Sequence, residues 1–154
     1  MKRDSRLSGV LHVLLHMAEM DGPVTSETMA AIMGSNPATM RRTMAGLRKA
    51  GFVRSDKGHG GGWSIERPLS QVTLRDIYTW LDSPELFAMC NRTDAPGCLV
   101  EEAVNAALGS AYEEARSVLL DRFASVTLAE LSDDFHRRMG AYAETADREI
   151  THDV

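Results

Sequence analysis

Asn36-Pro-Ala-Thr-Met-Arg-Arg-Thr-Met-Ala-Gly-Leu-Arg-Lys-Ala-Gly51, continued by Phe52-Val-Arg-Ser-Asp-Lys-Gly-His-Gly-Gly-Gly-Trp-Ser-Ile-Glu-Arg-Pro68, is the stretch that decides the fold. Asn36-Pro37 combines two helix-start signals, an N-cap side chain and a proline at the first helical position. Met40, Met44 and Leu47 then recur at helical spacing and form an inward face. Ala38, Arg42, Ala45 and Lys49 project the opposite way, with Thr39 and Arg41 beside them. Gly51 ends the helix, since glycine enters the left-handed C′ conformation without steric penalty. Residues 52–55 and 63–66 read as short strands joined by the turn Lys57-Gly58-His59-Gly60-Gly61-Gly62. A cationic helix followed by a cationic hairpin is the outline of a winged helix-turn-helix, which reads DNA.

Upstream, residues 4–20 carry a helical pattern with Asp4 or Ser5 as cap and Leu7, Leu11, Leu14 and Ala18 as the inward stripe, widened by Val10, Val13 and Met17. His12, His16 and Glu19 share one face of it at a spacing that suits a metal. Two histidines are an incomplete ligand set, so surface or packed histidines are the favoured reading and no metal site is assigned. Asp21-Gly22-Pro23 breaks this helix, Thr25 or Ser26 caps a short second one through Met33, and Gly34-Ser35 turns into Asn36. The glycine run is not a nucleotide loop, because a strand-like segment follows it and no Gly-Lys-Ser/Thr is present.

Downstream, Thr73-Leu-Arg-Asp76 starts a helix to about Leu81, with Leu74, Ile77, Tyr78 and Leu81 inward. A turn-rich loop from Pro84 to Cys98 holds both cysteines. A long helix from Leu99 to about Phe123 places Val104, Leu108, Ala111, Ala115 and Val118 in a 4-3-4-3 seam suited to a second helix, expected to be that of a dimer partner. Thr127-Leu-Ala-Glu130 is a capping box opening a last helix to about Arg138, and residues after Gly140 read as a frayed acidic tail.

The net charge of −5 hides an asymmetry. Residues 1–68 hold ten Lys+Arg against six Asp+Glu, and residues 69–154 hold seven against sixteen, giving +4 and −9, which together make −5. The positive potential coincides with the helix and hairpin, where a polyanion would bind. No apolar run reaches the length of a membrane span and no leader is evident, so a cytoplasmic protein with no membrane partner is expected. No Ser/His/Asp or Cys/His set is recognisable and the cysteines are not a C-x-x-C pair, so an enzyme is not expected.

Leu47-Arg-Lys-Ala-Gly51, Gly58-His-Gly-Gly-Gly-Trp-Ser-Ile-Glu-Arg-Pro68, Val72-Thr-Leu-Arg-Asp-Ile77 and Thr127-Leu-Ala-Glu-Leu131 together resemble the Rrf-two family of bacterial transcription regulators. The resemblance spans nearly all of residues 5–135. It implies a dimeric winged-helix DNA binder whose long helix crosses its partner's, each subunit touching one half of a palindromic operator. Members that bind an iron–sulphur cluster carry three cysteines before the long helix. This chain has Cys90 and Cys98 only, which places it nearer the cluster-less branch. Inert thiols, a reversible disulfide switch and a cluster completed by Asp, Glu or His all stay open; no cofactor is assigned.

The expected architecture is mainly α with a small β-hairpin wing. It comprises a DNA-binding unit over 1–68, a connecting helix and cysteine loop over 69–98, dimerisation helices over 99–138 and a flexible tail over 139–154. The expected activity is sequence-specific regulation of transcription, as a repressor, answering a redox or small-molecule signal. A protein-interaction module without specific DNA binding and a cluster-sensing regulator are the alternatives. Thr39, Arg41 and Arg42 are expected in the major groove, with Arg42 on guanine. Ser35 and Asn36 are expected on phosphates, and Arg54, Lys57, His59 and Gly60 at the backbone or minor groove beside the wing.

Overall fold

The computed structural model describes residues 4–87 and 97–150, the side chains of 144–150 apart. Its first helix, α1 (Arg6–Ala18), begins where the Asp4 carboxylate accepts the Arg6 N–H at 3.0 Å; Ser5 is the N-cap by position but makes no capping bond. The buried stripe is Val10, Val13, Leu14 and Met17, while Leu7 and Leu11 are only partly covered. All four belong to the face expected from the sequence, with Leu7, Leu11 and Ala18 at its partly covered edge.

Helix α2 (Ser26–Ile32) is capped by Thr25, whose hydroxyl oxygen accepts the Thr28 N–H at 3.1 Å. Helix α3 (Pro37–Lys49) is capped by Asn36, whose Oδ1 accepts the Thr39 N–H at 2.9 Å, with Pro37 in the first turn where a missing N–H costs nothing. It closes in a Schellman motif. The Gly51 N–H donates to Arg48 O and the Phe52 N–H to Leu47 O, both at 3.0 Å, with Gly51 at φ +78°. Leu47 and Phe52, joined by that turn, are both buried.

The hairpin pairs β1 (Val53–Asp56) with β2 (Gly62–Ile65) in antiparallel register, Val53 opposite Ile65 and Asp56 opposite Gly62. Both strands fall within one residue of the expected ones. A third segment joins them. Val24, between α1 and α2, exchanges two backbone hydrogen bonds with Trp63, at 2.9 and 2.8 Å. The Trp63 indole N–H donates to Ser26 Oγ at 2.9 Å, giving that buried hydroxyl a partner. So close an approach explains Gly62, where a Cβ would stand 2.7 Å from the Val24 carbonyl oxygen.

After a 3-10 turn (Leu69–Gln71), α4 (Leu74–Trp80) opens with a reciprocal capping box. The Asp76 carboxylate accepts the Thr73 N–H at 2.8 Å, and Thr73 Oγ1 accepts the Asp76 N–H at 3.1 Å. Ile77, Tyr78 and Leu81 are buried and Leu74 is partly so. Trp80 lies across α3 at Gly46, where a Cβ would meet the indole Cζ2 at 2.9 Å. The long helix α5 (Leu99–Ser125) follows, then α6 (Leu128–Ile150), which Thr127 and Glu130 open with a second capping box. The two boxes sit side by side: the Leu74 N–H donates to Val126 O at 3.0 Å and the Leu128 N–H to Val72 O at 2.8 Å. Helix α6 runs on past Gly140, in place of the frayed tail expected there. One exposed glycine costs only about 1 kcal/mol in a helix, and the alanines and glutamates that follow are strong helix formers.

The core does not stop at residue 68. Leu14, Met29, Met44, Leu47, Ile77 and Leu128 are all fully buried and belong to one cluster. Each contributes about 1.5–3 kcal/mol of burial. The winged unit therefore draws α4 and the first turn of α6 into its interior. Among the described residues the molecule is six helices and one two-stranded hairpin, mainly α as expected.

Two outcomes follow from the hairpin. Gly62→Ala drives a methyl into the Val24 carbonyl, backbone against backbone, and should cost about 1–3 kcal/mol, measured as a lower urea midpoint at unchanged slope. The Asp56 carboxyl is held below the ordinary aspartate range, first by the Ser64 hydroxyl donating at 2.6 Å and then by Arg54. Its contribution to stability is complete above that range and fades as pH falls through the lowered value. Ser64→Ala should move the Asp56 midpoint upward in an NMR titration.

Candidate nucleic-acid interface

Helix α3 presents Ala38, Thr39, Arg41, Arg42, Arg48 and Lys49 as exposed residues, opposite buried Met40, Met44 and Leu47. The segment leading in places Ser35 and Asn36 at the helix N-terminus, both exposed. Pro37 has no N–H and that of Thr39 is taken by the Asn36 cap, so what this end offers an anion is chiefly the helix dipole. Asn36 spends its side-chain carbonyl on the cap, which leaves its NH2 as the group that can reach outward. The Ser35 N–H is taken by Ala30 O at 2.9 Å, so its hydroxyl is what it can offer.

The cations are not equivalent. Arg42 donates to Thr39 Oγ1 at 3.3 Å, and among the described residues no carboxylate pairs with it. Arg41, one residue earlier, hydrogen-bonds through Nη2 to Glu27 Oε1 on α2 and is ion-paired with it. That Glu27 carboxyl is held below the ordinary glutamate range, first by its own backbone N–H in the opening turn of α2 and then by Arg41. On the hairpin, Arg54 is shared by Asp56 and Glu66, each at 3.3 Å, and also reaches Ile65 O at 3.5 Å. Both hydrogen bonds raise the Arg54 pKa further. Lys57, His59 and Gly60 are exposed at the hairpin tip, where Gly58 and Gly60 take φ of +96° and +77°. Those angles are what glycine supplies in a tight turn.

Arg41 and Arg54 are therefore not the free cations expected from the sequence. The Arg54–Asp56 pairing was legible, since residues two apart on a strand share a face. The Glu27 partner was not, being fourteen positions from Arg41 on another helix. Arg67 is a further cation that sequence reasoning passed over. Its guanidinium lies 4.8 Å from the Phe52 ring centroid and donates to Ala50 O at 3.4 Å, closing the end of α3.

Elsewhere, His12 and His16 bring their Nε2 atoms to 2.9 Å on α1, but Glu19 turns to α6, pairing with His136 at 2.9 Å. Among the described residues no group of three or more His, Cys, Asp or Glu is placed to hold a metal. Cys98 is exposed as the N-cap of α5, and Cys90 lies outside the described residues, so the pair expected as a switch has one described member. No residue of α5 is buried. Of the seam expected on it, Val104, Leu108 and Val118 are 50%, 38% and 66% exposed, and Ala111 and Ala115 are exposed as well. Among the described residues no helix is long and apolar enough to cross a membrane.

Residues 3–134 match the Rrf2 (Rrf-two) family, described as iron-dependent transcriptional regulators. YwnA of Bacillus subtilis strain 168, a protein bearing the name of an HTH-type transcriptional regulator, is 26% identical over 128 residues, 83% of this chain and 95% of its own. Among solved structures, T. potens IscR superposes with a TM-score of 0.62 at 24% identity, covering 87% of this chain and 88% of that one. CymR of B. subtilis, titled the global cysteine regulator, gives 0.63 at 20% identity, covering 86% and 98%. Both likenesses concern the fold. The iron in the family's description finds no ligand set among the described residues: Cys98 has only the acidic first turn of α5 next to it, where Glu101 already accepts the Gly97 N–H at 3.0 Å. With its helix-turn-helix, glycine-tipped hairpin and long following helix matched over residues 3–134, the chain belongs to the Rrf2 family of transcriptional regulators.

Proposed function

We propose that this protein is a homodimeric repressor that works in the cytoplasm on a palindromic operator, each subunit reading one half-site. The observation that carries this reading is the state of Arg42: it stands exposed as the sixth residue of α3, and among the described residues it has no carboxylate partner. Such a guanidinium suits guanine, whose O6 and N7 accept two parallel N–H bonds. Ser35, the Asn36 amide, Thr39 and the α3 N-terminus supply phosphate contacts that fix its register. Lys57, His59 and the Gly60 backbone act from the hairpin tip.

The dimer is supported by α5. A helix of 27 residues with none buried, and with Val104, Leu108 and Val118 standing out, leaves an apolar surface that a second copy can cover. Two copies present two α3 helices, which matches the two-fold symmetry of a palindrome. A dimer seated over a promoter excludes the polymerase, which is the simplest route to repression.

Arg42→Ala should lower operator affinity by about 1–3 kcal/mol and abolish discrimination at one base pair, while Lys57→Ala should weaken all duplexes alike and flatten the salt slope by about 0.9. Fluorescence anisotropy across single-base operator variants separates these patterns; a uniform loss for Arg42→Ala would remove it from base reading. Leu108→Glu should yield a monomer by analytical ultracentrifugation and lose the affinity gained from a second half-site. A variant that stays dimeric would place the subunit contact away from α5.

A further inference from the structure

The cation next to the proposed base reader is the one that is tied down. Arg41 and Arg42 are both exposed in the first half of α3, yet Arg41 is ion-paired across the helix-turn-helix with Glu27 while, among the described residues, Arg42 has no carboxylate. Glu27 sits in the first turn of α2, where the helix dipole and its own backbone N–H hold it ionised. It is 59% exposed, and Arg41 is 60% exposed. The pair therefore lies on the surface, within reach of any polyanion that approaches α3, and is not a core feature. A phosphate can recruit Arg41 only by displacing a carboxylate already in place.

Building on the DNA-binding reading above, we infer that Glu27 is a positioning residue that withholds Arg41 from the phosphates of any duplex. The physical reason lies in the electrostatic share of binding, which every duplex provides. Non-specific affinity is almost wholly the release of counterions as cations meet phosphates, about 0.9 in the salt exponent per contact. Specific affinity adds base contacts, which Arg42 supplies without help from Arg41. Withholding one cation therefore weakens binding to cognate and non-cognate duplexes by the same factor and leaves discrimination to the base contacts. The wing shows the same arrangement, with Arg54 held by Asp56 and Glu66. Glu27 touches no DNA in this scheme and acts as a positioning residue through Arg41.

Glu27→Gln keeps the shape and removes the charge that holds Arg41. The test compares wild type, Glu27→Gln and Glu27→Gln/Arg41→Ala, each as full chain. The probes are a duplex selected by the wild type from a randomised pool and a scrambled duplex of the same composition. Affinities are measured between about 50 and 200 mM salt. Glu27→Gln is expected to steepen the salt exponent on scrambled DNA by about 0.9, roughly a three- to fourfold extra loss over that range. It should leave the ratio of selected to scrambled affinity unchanged, and the double variant should return the exponent to the wild-type value. An unchanged exponent in Glu27→Gln overturns the inference. So does a double variant as steep as the single one, because the lost carboxylate would then act without Arg41. A wild type that recovers no duplex from the pool overturns the DNA-binding reading itself, a result distinct from either.

Discussion

Two backbone hydrogen bonds between Val24 and Trp63 set the position of everything the protein offers to a partner. They bridge the α1–α2 connection to β2 of the hairpin, so the wing is tied to the helix-turn-helix through main chain. Side chains add to the joint, with the Trp63 indole on the buried Ser26 hydroxyl. The joint also explains the composition of the turn. Gly62 is needed where Val24 presses against the strand, and Gly58 and Gly60 where the chain reverses with positive φ. A glycine run of this kind suggests flexibility when met in a sequence. Here it marks the place where backbones come too close for a side chain.

The electrostatics of the exposed face run against simple counting. The excess of positive charge over residues 1–68 is real, but three of its arginines, Arg6, Arg41 and Arg54, are already satisfied by carboxylates of the same half. What remains outward is a smaller set, Arg42 on α3 and Lys57 at the hairpin tip, with Arg48 and Lys49 at the helix end. Exposed ion pairs contribute little to stability. Their effect here lies in which cations stay available, so the charge that matters is the unpaired remainder and not the net figure.

Features written in local hydrogen bonds were legible from the residues alone. Asn36-Pro37 and Gly51 bounded α3 because an N-cap and a Schellman turn involve neighbours a few positions apart. The capping boxes at Thr73–Asp76 and Thr127–Glu130 announced α4 and α6 for the same reason. Features that depend on chain segments far apart were not legible. Val24 and Trp63 are joined across the whole helix-turn-helix, Glu27 finds Arg41 on another helix, and Glu19 finds His136 near the other end of the molecule. The buried residues of α1 were all within the expected face, but which of its positions are most enclosed is set by elements on more than one side. Ending the last helix at about Arg138, with a frayed tail after Gly140, gave one glycine's propensity too much weight against its neighbours.

The paired junction of α4 and α6 has a geometric consequence. The chain leaves the winged unit beyond Leu81 and re-enters it at Thr127, beside Thr73, so α5 is an excursion anchored where it returns. Tyr78 against Phe123, with ring centroids 5.9 Å apart, braces that anchored end. In a dimer joined along α5, the distance from this anchor to the shared seam fixes how far apart the two α3 helices stand. Sliding the seam by one heptad moves each subunit about 10 Å along its partner, roughly three base-pair steps. The spacing between the two halves of an operator is then measured by a ruler that never meets the bases.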